Sequence, residues 1–235
     1  MEILYKNTEY VEKLAEIGRR VSTYYAWGAF GAPATEKNKK RYKVPMSLPC
    51  DTFLFDCSGY AYKALPWGFD FDSTRPYGGA QYMKIPELET NNILAICSDV
   101  SDDFTKILPG EVLYMKGHVG IYAGLGRCLE CTSKWTNGVL TSEVKNCGID
   151  TGLAYKRTWL KHGKLPFVDY GQIVMIPDGM YIKYIVKKGD TLGKIAREYL
   201  GSFSRYNEIM KINGLTSTVI YPKQVLWLPA GKDKT

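Results

Sequence analysis

A cysteine, a histidine and a glutamate within the first 130 residues are the groups in this 235-residue chain best suited to covalent chemistry. Cys57 stands in Phe55-Asp56-Cys57-Ser58-Gly59-Tyr60, behind an aspartate that can cap a helix and ahead of the helix-like run Tyr60-Ala61-Tyr62-Lys63-Ala64-Leu65. A thiol in a first helical turn lies among unpaired backbone N–H groups and at the positive end of the macrodipole, and both favour the nucleophilic thiolate. The bland alternative is a buried cysteine acting as a small hydrophobe. His118 opens His118-Val119-Gly120-Ile121-Tyr122-Ala123, where strand alternation puts His118, Gly120 and Tyr122 on one face, and small Gly120 leaves room for a substrate. Past Gly124-Leu125-Gly126, a hairpin centred near residue 124 sets Glu130 opposite His118. A slip by one pair leaves them diagonal neighbours on the same face. A carboxylate there holds the imidazole by its other nitrogen and favours the imidazolium, although an ordinary cross-strand ion pair would look the same. Thiolate, histidine and orienting group are the parts of a cysteine hydrolase.

Other reactive side chains carry weaker signals. His162, in Trp159-Leu160-Lys161-His162-Gly163-Lys164, reads as a solvated or wall-contacting residue of a basic turn. Cys128 and Cys131 form a C-x-x-C pair, but a strand points residues three apart to opposite faces, and Cys147 has no close partner. No metal and no cofactor are therefore expected, and Cys50, Cys97 and Cys147 read as core or surface fillers.

Composition bounds the partners. Hydrophobic residues are 45% and charged residues 23%, which marks a globular and not a disordered chain. The net charge of +7 favours anionic partners. The lysines are scattered without a basic run, so nucleic acid is not expected, whereas the anionic polymers of a bacterial wall fit the same charge. There is no run of eighteen apolar residues, so no membrane insertion is expected. The first ten residues carry early acidic groups and no signal-peptide core. The expectation is synthesis in a reducing cytoplasm with free thiols, and release by another route if the protein acts outside.

The elements that must position these groups can be read in outline. Apolar Val11, Leu14, Ala15, Ile17 and Val21 predict an amphipathic helix over 9–24. Residues 31–41 read as a polar loop, 57–65 as a second helix stopped by Pro66-Trp67-Gly68, and Gln81–Ile85 as a short helix. Strands are predicted at 111–115, 118–123, 127–132 and 138–144, with the domain closing near 159–167. The organisation expected is a domain over 1–167, a linker over 168–183 with the turn signal Pro177-Asp178-Gly179, a module over 184–230, and a tail over 231–235. The module reads strand (184–187), helix after the N-cap Thr191, helix over 205–212 ending at Asn213-Gly214, and strand (225–228).

Tyr184-Ile185-Val186-Lys187-Lys188-Gly189-Asp190-Thr191-Leu192, with Ile195-Ala196, Asn213 and Pro222-Lys223-Gln224-Val225-Leu226, resembles a LysM module, a small βααβ binder of N-acetylglucosamine-containing glycans. The resemblance implies a sugar groove between Gly189, Asp190, Thr191 and Leu192 on one side and the Leu215–Ile220 loop on the other, with Leu192 and Ile220 open to a purely core role. Tyr25-Ala26-Trp27-Gly28, Asp56-Cys57-Ser58-Gly59-Tyr60 and Gly117-His118-Val119-Gly120-Ile121-Tyr122 together resemble the NlpC/p-sixty peptidases, papain-like enzymes that cut peptidoglycan stem peptides. That implies an α+β fold, N-terminal helices packed on an antiparallel sheet or half-barrel, over about residues 10–165. It also implies Cys57 as nucleophile, His118 as base and then acid, and Tyr25 at the oxyanion. Asp56, Ser58, Gly120 and Trp27 would line the substrate site. The third family position is most often histidine, and Glu130 departs from it toward the Cys–His–Glu set of the related CHAP amidases. The expected function is cleavage of a stem-peptide amide on a wall held by the LysM-like block, as in a phage-type endolysin. An N-acetylmuramoyl-L-alanine amidase and a non-catalytic wall-binding protein are the alternatives.

Overall fold

The computed structural model describes residues 1–81, 84–170, 173–176, 179–213, 215 and 217–229, with backbone alone for 173–176, 179–183 and Lys211. The chain opens with β1 (Tyr5–Lys6) and α1 (Asn7–Arg20). The face of α1 carrying Tyr10, Val11, Leu14, Ala15 and Ile17 is buried, as the periodicity predicts. The helix ends four residues earlier than read, because Thr23 enters a strand. Three short strands follow: β2 (Thr23–Tyr25), β3 (Phe30–Pro33) and β4 (Phe53–Phe55). They form a sheet with β4 in the middle, parallel to β2 and antiparallel to β3.

The segment 31–41 is not a loop. Gly31, Ala32 and Pro33 belong to the fully buried β3, and α2 (Glu36–Tyr42) follows. Thr35 caps α2 by accepting the Asn38 N–H at 3.3 Å, and Lys43 closes it in the left-handed conformation. Its run of lysines hid a helix that satisfies its ends locally.

The central layer is a seven-stranded sheet in the order β10-β9-β8-β7-β6-β11-β5. Its members are β5 (Ser98–Ser101), β6 (Val112–Met115), β7 (His118–Gly124), β8 (Arg127–Thr132), β9 (Gly138–Val144), β10 (Lys156–Arg157) and β11 (Lys161–Lys164). All neighbours are antiparallel except β9 and β10. One face, with Val119, Ile121, Ala123, Leu129 and Cys131, packs in the main core with α1 and the Cys57 helix. The other, with Leu113, Tyr122, Cys128 and Trp159, closes a second cluster with Phe104. The domain is thus α+β.

The bridge read at 168–183 contains regular structure. In it β12 (Val168–Asp169) pairs in parallel with β1, and β13 (Ile173–Ile176) pairs with β14 (Gly179–Ile185). Pro177 and Asp178 lie outside the described residues, as do Tyr82 and Met83 of the short helix read at 81–85 and the tail at 231–235. The C-terminal unit continues from β14 through α3 (Leu192–Leu200) and α4 (Tyr206–Ile212) to β15 (Val225–Pro229), which pairs with β14. Thr191 caps α3 through the Lys194 N–H.

The segment bearing Cys57 starts helical and continues as a π-helix over Gly59–Lys63, closed by the Ala64 N–H bonded to the Gly59 carbonyl at 2.8 Å. Pro66, just beyond, has no N–H to extend a regular ladder. Two tyrosines lock this helix to α1: Tyr60 donates to the Leu14 carbonyl and Tyr10 to the Ala61 carbonyl, each at 2.8 Å. Gly59 allows the helix start to meet the Ala29 carbonyl, since a Cβ there would lie 2.0 Å from that oxygen. Gly59→Ala is therefore expected to destabilise the fold by about 2–3 kcal/mol or more, read as a lower melting temperature. An unchanged melt would show that the helix start can move.

Candidate active site

Asp56 builds the seat of Cys57. Its Oδ1 accepts the Gly59 N–H at 2.5 Å and the Ser58 hydroxyl at 3.0 Å, which caps the helix start, and its Oδ2 accepts the Gly28 N–H at 2.8 Å. The carboxylate thus ties the Trp27-Gly28 turn to the cysteine. Asp56 and Ser58 also edge the cleft, but both are buried and their side chains bond to each other and to the cap, so their role is holding Cys57 in place. The Thr90 hydroxyl lies 3.6 Å from the Cys57 sulfur. The neighbouring Asn91 Oδ1 accepts from the Gly117 N–H at 3.1 Å and the Tyr114 hydroxyl at 3.2 Å. One short segment therefore touches the thiol and pins the turn that precedes His118.

His118 and Glu130 meet by the diagonal register. Ile121 pairs with Leu129 and Tyr122 with Cys128, so the hairpin is centred one residue later than read. The two side chains stay on one face, with His118 Nε2 2.7 Å from Glu130 Oε2. Cys57 and His118 are close enough to shift each other's ionisation, and with Nε2 on Glu130 the nitrogen left for the thiol is Nδ1. On its flat face His118 stacks on Trp159 at 5.6 Å between ring centroids.

The site's electrostatics favour an ion pair. Burial opposes ionisation of Cys57, but the hydrogen bond and charge of His118 outweigh it and hold the thiol below its ordinary value. Burial likewise opposes the imidazolium, and its bonds to Cys57 and Glu130 raise His118 above the usual histidine range. Glu130 has no exposed surface, yet bonds from His118, Arg157 and Ser142 keep it ionised below the usual carboxylate range. Burial, then the charges of Cys57 and Asp56, raise Tyr25, so its phenol stays a donor.

Beside this set lies a cavity of about 360 Å³ whose wall includes Gly28, Thr90 and Gly117, with Trp27 at its lip 84% exposed. Lys63, Glu87 and Glu89 add charges of both signs, and Lys63 pairs with Glu87 at 3.4 Å.

Other residues are placed differently from their sequence reading. Gly120 does not open space for a substrate, because a Cβ there would lie 2.4 Å from the Cys128 sulfur and 3.2 Å from Trp159. Its smallness serves packing beneath the histidine. His162 is buried in β11, with Nδ1 on the Glu111 carboxylate and Nε2 3.1 Å from the Asp103 carbonyl. Burial opposes the charged ring, but its bonds to Glu111 and Asp103 raise it above its ordinary value, and the ring fastens the fold. Leu192 is 2% exposed in the core of the C-terminal unit, and Leu215 and Ile220 pack against that core. Asp190 accepts from the Tyr184 hydroxyl and the Lys187 N–H, both at 2.7 Å, which leaves Gly189 and Thr191 as the open part of that turn. All six cysteines are free, and no cluster of metal-ligating side chains occurs among the described residues. Among them too, no helix is long and apolar enough to cross a membrane. Thr90, Asn91, Ser142, Arg157 and Trp159 had no signal in the sequence, since each reaches the site only through sheet order or a long loop.

Comparison with known proteins adds one firm assignment. Residues 184–229 match the LysM domain family, and the C-terminal unit is a LysM domain. N-acetylmuramoyl-L-alanine amidase sle1 from two strains of Staphylococcus epidermidis is 45% identical over 53 residues, which is 23% of this chain and 15% of the relative's length. Two solved structures from Trichomonas vaginalis, NlpC2 and NlpC1, align over 68% of this chain and over 46% and 44% of theirs. Their TM-scores are 0.38 and 0.37 at 14% identity.

Lowering Cys57 and raising His118 bring the two titrations toward each other, which favours the thiolate–imidazolium pair. Cys57 is expected to react with iodoacetamide at about pH 7, below the ordinary thiol range near 8.5. A Cys57 that titrates like a free thiol would contradict the geometry.

Proposed function

We propose that this chain is a peptidoglycan hydrolase of the NlpC/p-sixty type that cuts an amide of the stem peptide while its LysM domain holds wall glycan. The observation that carries this reading is the Cys57–His118–Glu130 set beside an open cleft, in one chain with a LysM domain. Residues 1–167 would then be the papain-like catalytic domain, the bacterial wall the place of action, and the net charge of +7 an aid against anionic wall polymers.

In this mechanism the Cys57 thiolate adds to the scissile carbonyl carbon, and the oxyanion is met by the Tyr25 hydroxyl and backbone N–H at the helix start. The tetrahedral intermediate collapses as His118 gives its proton to the leaving amine, leaving a thioester on Cys57. His118, now neutral, takes a proton from water as the water oxygen adds to the thioester carbon. Expulsion of the thiolate releases the acid and restores the ion pair. Glu130 holds the imidazole and stays ionised. Trp27 supplies a flat apolar surface at the cleft, and the mixed charges of Lys63, Glu87 and Glu89 suit a short peptide bearing amines and carboxylates.

The name of the S. epidermidis relative favours an N-acetylmuramoyl-L-alanine amidase as the second reading. The 53 matched residues cannot hold both Cys57 and His118, which lie sixty-one positions apart, so that likeness bears on recognition more than on chemistry. Cys57→Ala is expected to abolish lysis of purified cell walls and leave wall binding intact; lysis at the wild-type rate would end the assignment. Mass spectrometry of released fragments distinguishes a peptide–peptide cut from a sugar–peptide cut. Trp27→Ala is expected to lower kcat/KM by about tenfold with Cys57 alkylation unchanged, as loss of a contact surface would.

A further inference from the structure

Five planar groups are layered on the face of the sheet behind the reactive pair. Tyr155 stacks on Trp135 at 5.1 Å, the Arg157 guanidinium lies 4.6 Å from Trp135 and 5.5 Å from Trp159, and Trp159 stacks on His118 at 5.6 Å. From within that stack Arg157 grips Glu130: Nε donates to Oε1 at 3.2 Å and Nη2 lies 2.7 Å from Oε2. Arg157 is 8% exposed and Glu130 fully buried, so water neutralises neither charge. His118 and Arg157 thus share one carboxylate.

We propose that Arg157 is a positioning residue that compensates the charge of Glu130, so that Glu130 orients His118 without capturing its proton. The inference rests on the proposed thiol hydrolysis and explains how that chemistry accepts a glutamate as third group. A neutral third residue leaves the thiolate–imidazolium pair balanced. A buried glutamate alone adds one negative charge and strengthens the hold on the imidazolium proton, which must pass to the leaving amine. The guanidinium restores the balance, and its permanent charge suits a site that water does not reach. Among the described residues, the thiols of Cys128 and Cys131 also feel Glu130, and burial raises both and keeps them neutral. Cys57 and Glu130 act on His118 directly, Arg157 reaches it across the shared Glu130 oxygen, and Asp56 adds its charge on the side of the thiol.

The test is a double-variant cycle read by alkylation of the Cys57 peptide, followed by mass spectrometry in the full-length protein. Glu130→Gln leaves Arg157 unpaired beside His118, which disfavours the imidazolium. The alkylation rate at about pH 6.5 is expected to fall about tenfold. Adding Arg157→Gln to that variant removes the stranded charge and is expected to restore the rate about fivefold or more. Should Glu130→Gln not fold, the same comparison is made on melting temperature, where the double variant is expected to regain a folded transition. An unchanged rate in Glu130→Gln, a double variant recovering less than this, or a double variant that melts no higher than an unfolded single one overturns the proposal. Wild-type Cys57 alkylating no faster than a free thiol would instead defeat the nucleophile assignment, and the melting temperatures would still report on compensation.

Discussion

Ionising a carboxylate that has no exposed surface costs several kcal/mol unless its partners repay the lost water. Glu130 meets that condition through four neighbouring strands. His118 comes from β7, Glu130 from β8, Ser142 from β9 and Arg157 from β10, so the row of contacts runs straight across the sheet. Strands lie about 4.8 Å apart, and a displacement of any one would leave a buried charge unpaired. The sheet order and the charge state of the site are thus one constraint. The second apolar cluster, with Trp159 against His118, keeps water from the back of the imidazole.

Cys57 is held by separate means, and β8 joins the two systems. Cys131 on one face of β8 donates to the Phe55 carbonyl at 3.4 Å, two residues before Cys57, while adjacent Glu130 on the other face holds His118. From the opposite side the Thr90-Asn91 segment touches the thiol and the turn before His118. Strand alternation turns neighbouring residues to opposite faces, which lets one strand brace both the Cys57 segment and His118.

The LysM domain gives the cleft its context. Under the proposed function, the LysM domain would make cleavage of the attached peptide an event at raised effective concentration, even where the module alone binds weakly. This is why the substrate class in the proposed function leans on the C-terminal domain as much as on the thiol.

Local chemistry made much of this legible in the sequence. The Asp56 cap ahead of Cys57, the Thr191 cap of α3, the apolar stripe of α1, and a hairpin that puts His118 and Glu130 on one face all follow from contacts within a dozen residues. The same is true of the LysM pattern, a compact motif of 46 residues. What the sequence left undecided depends on pairings between distant segments. Gly120 looked like an opening for substrate until Cys128 and Trp159 were seen to fill the space beside it. His162 looked solvated until β11 was placed next to β6 and brought Glu111 to its ring. Arg157, twenty-seven residues from Glu130, reaches it only because β10 joins the sheet beside β9. The types of the reactive groups were thus set by the sequence alone. Their charge states and the partners that hold them were decided by tertiary structure, because burial and long-range strand order are not properties of any short stretch of chain.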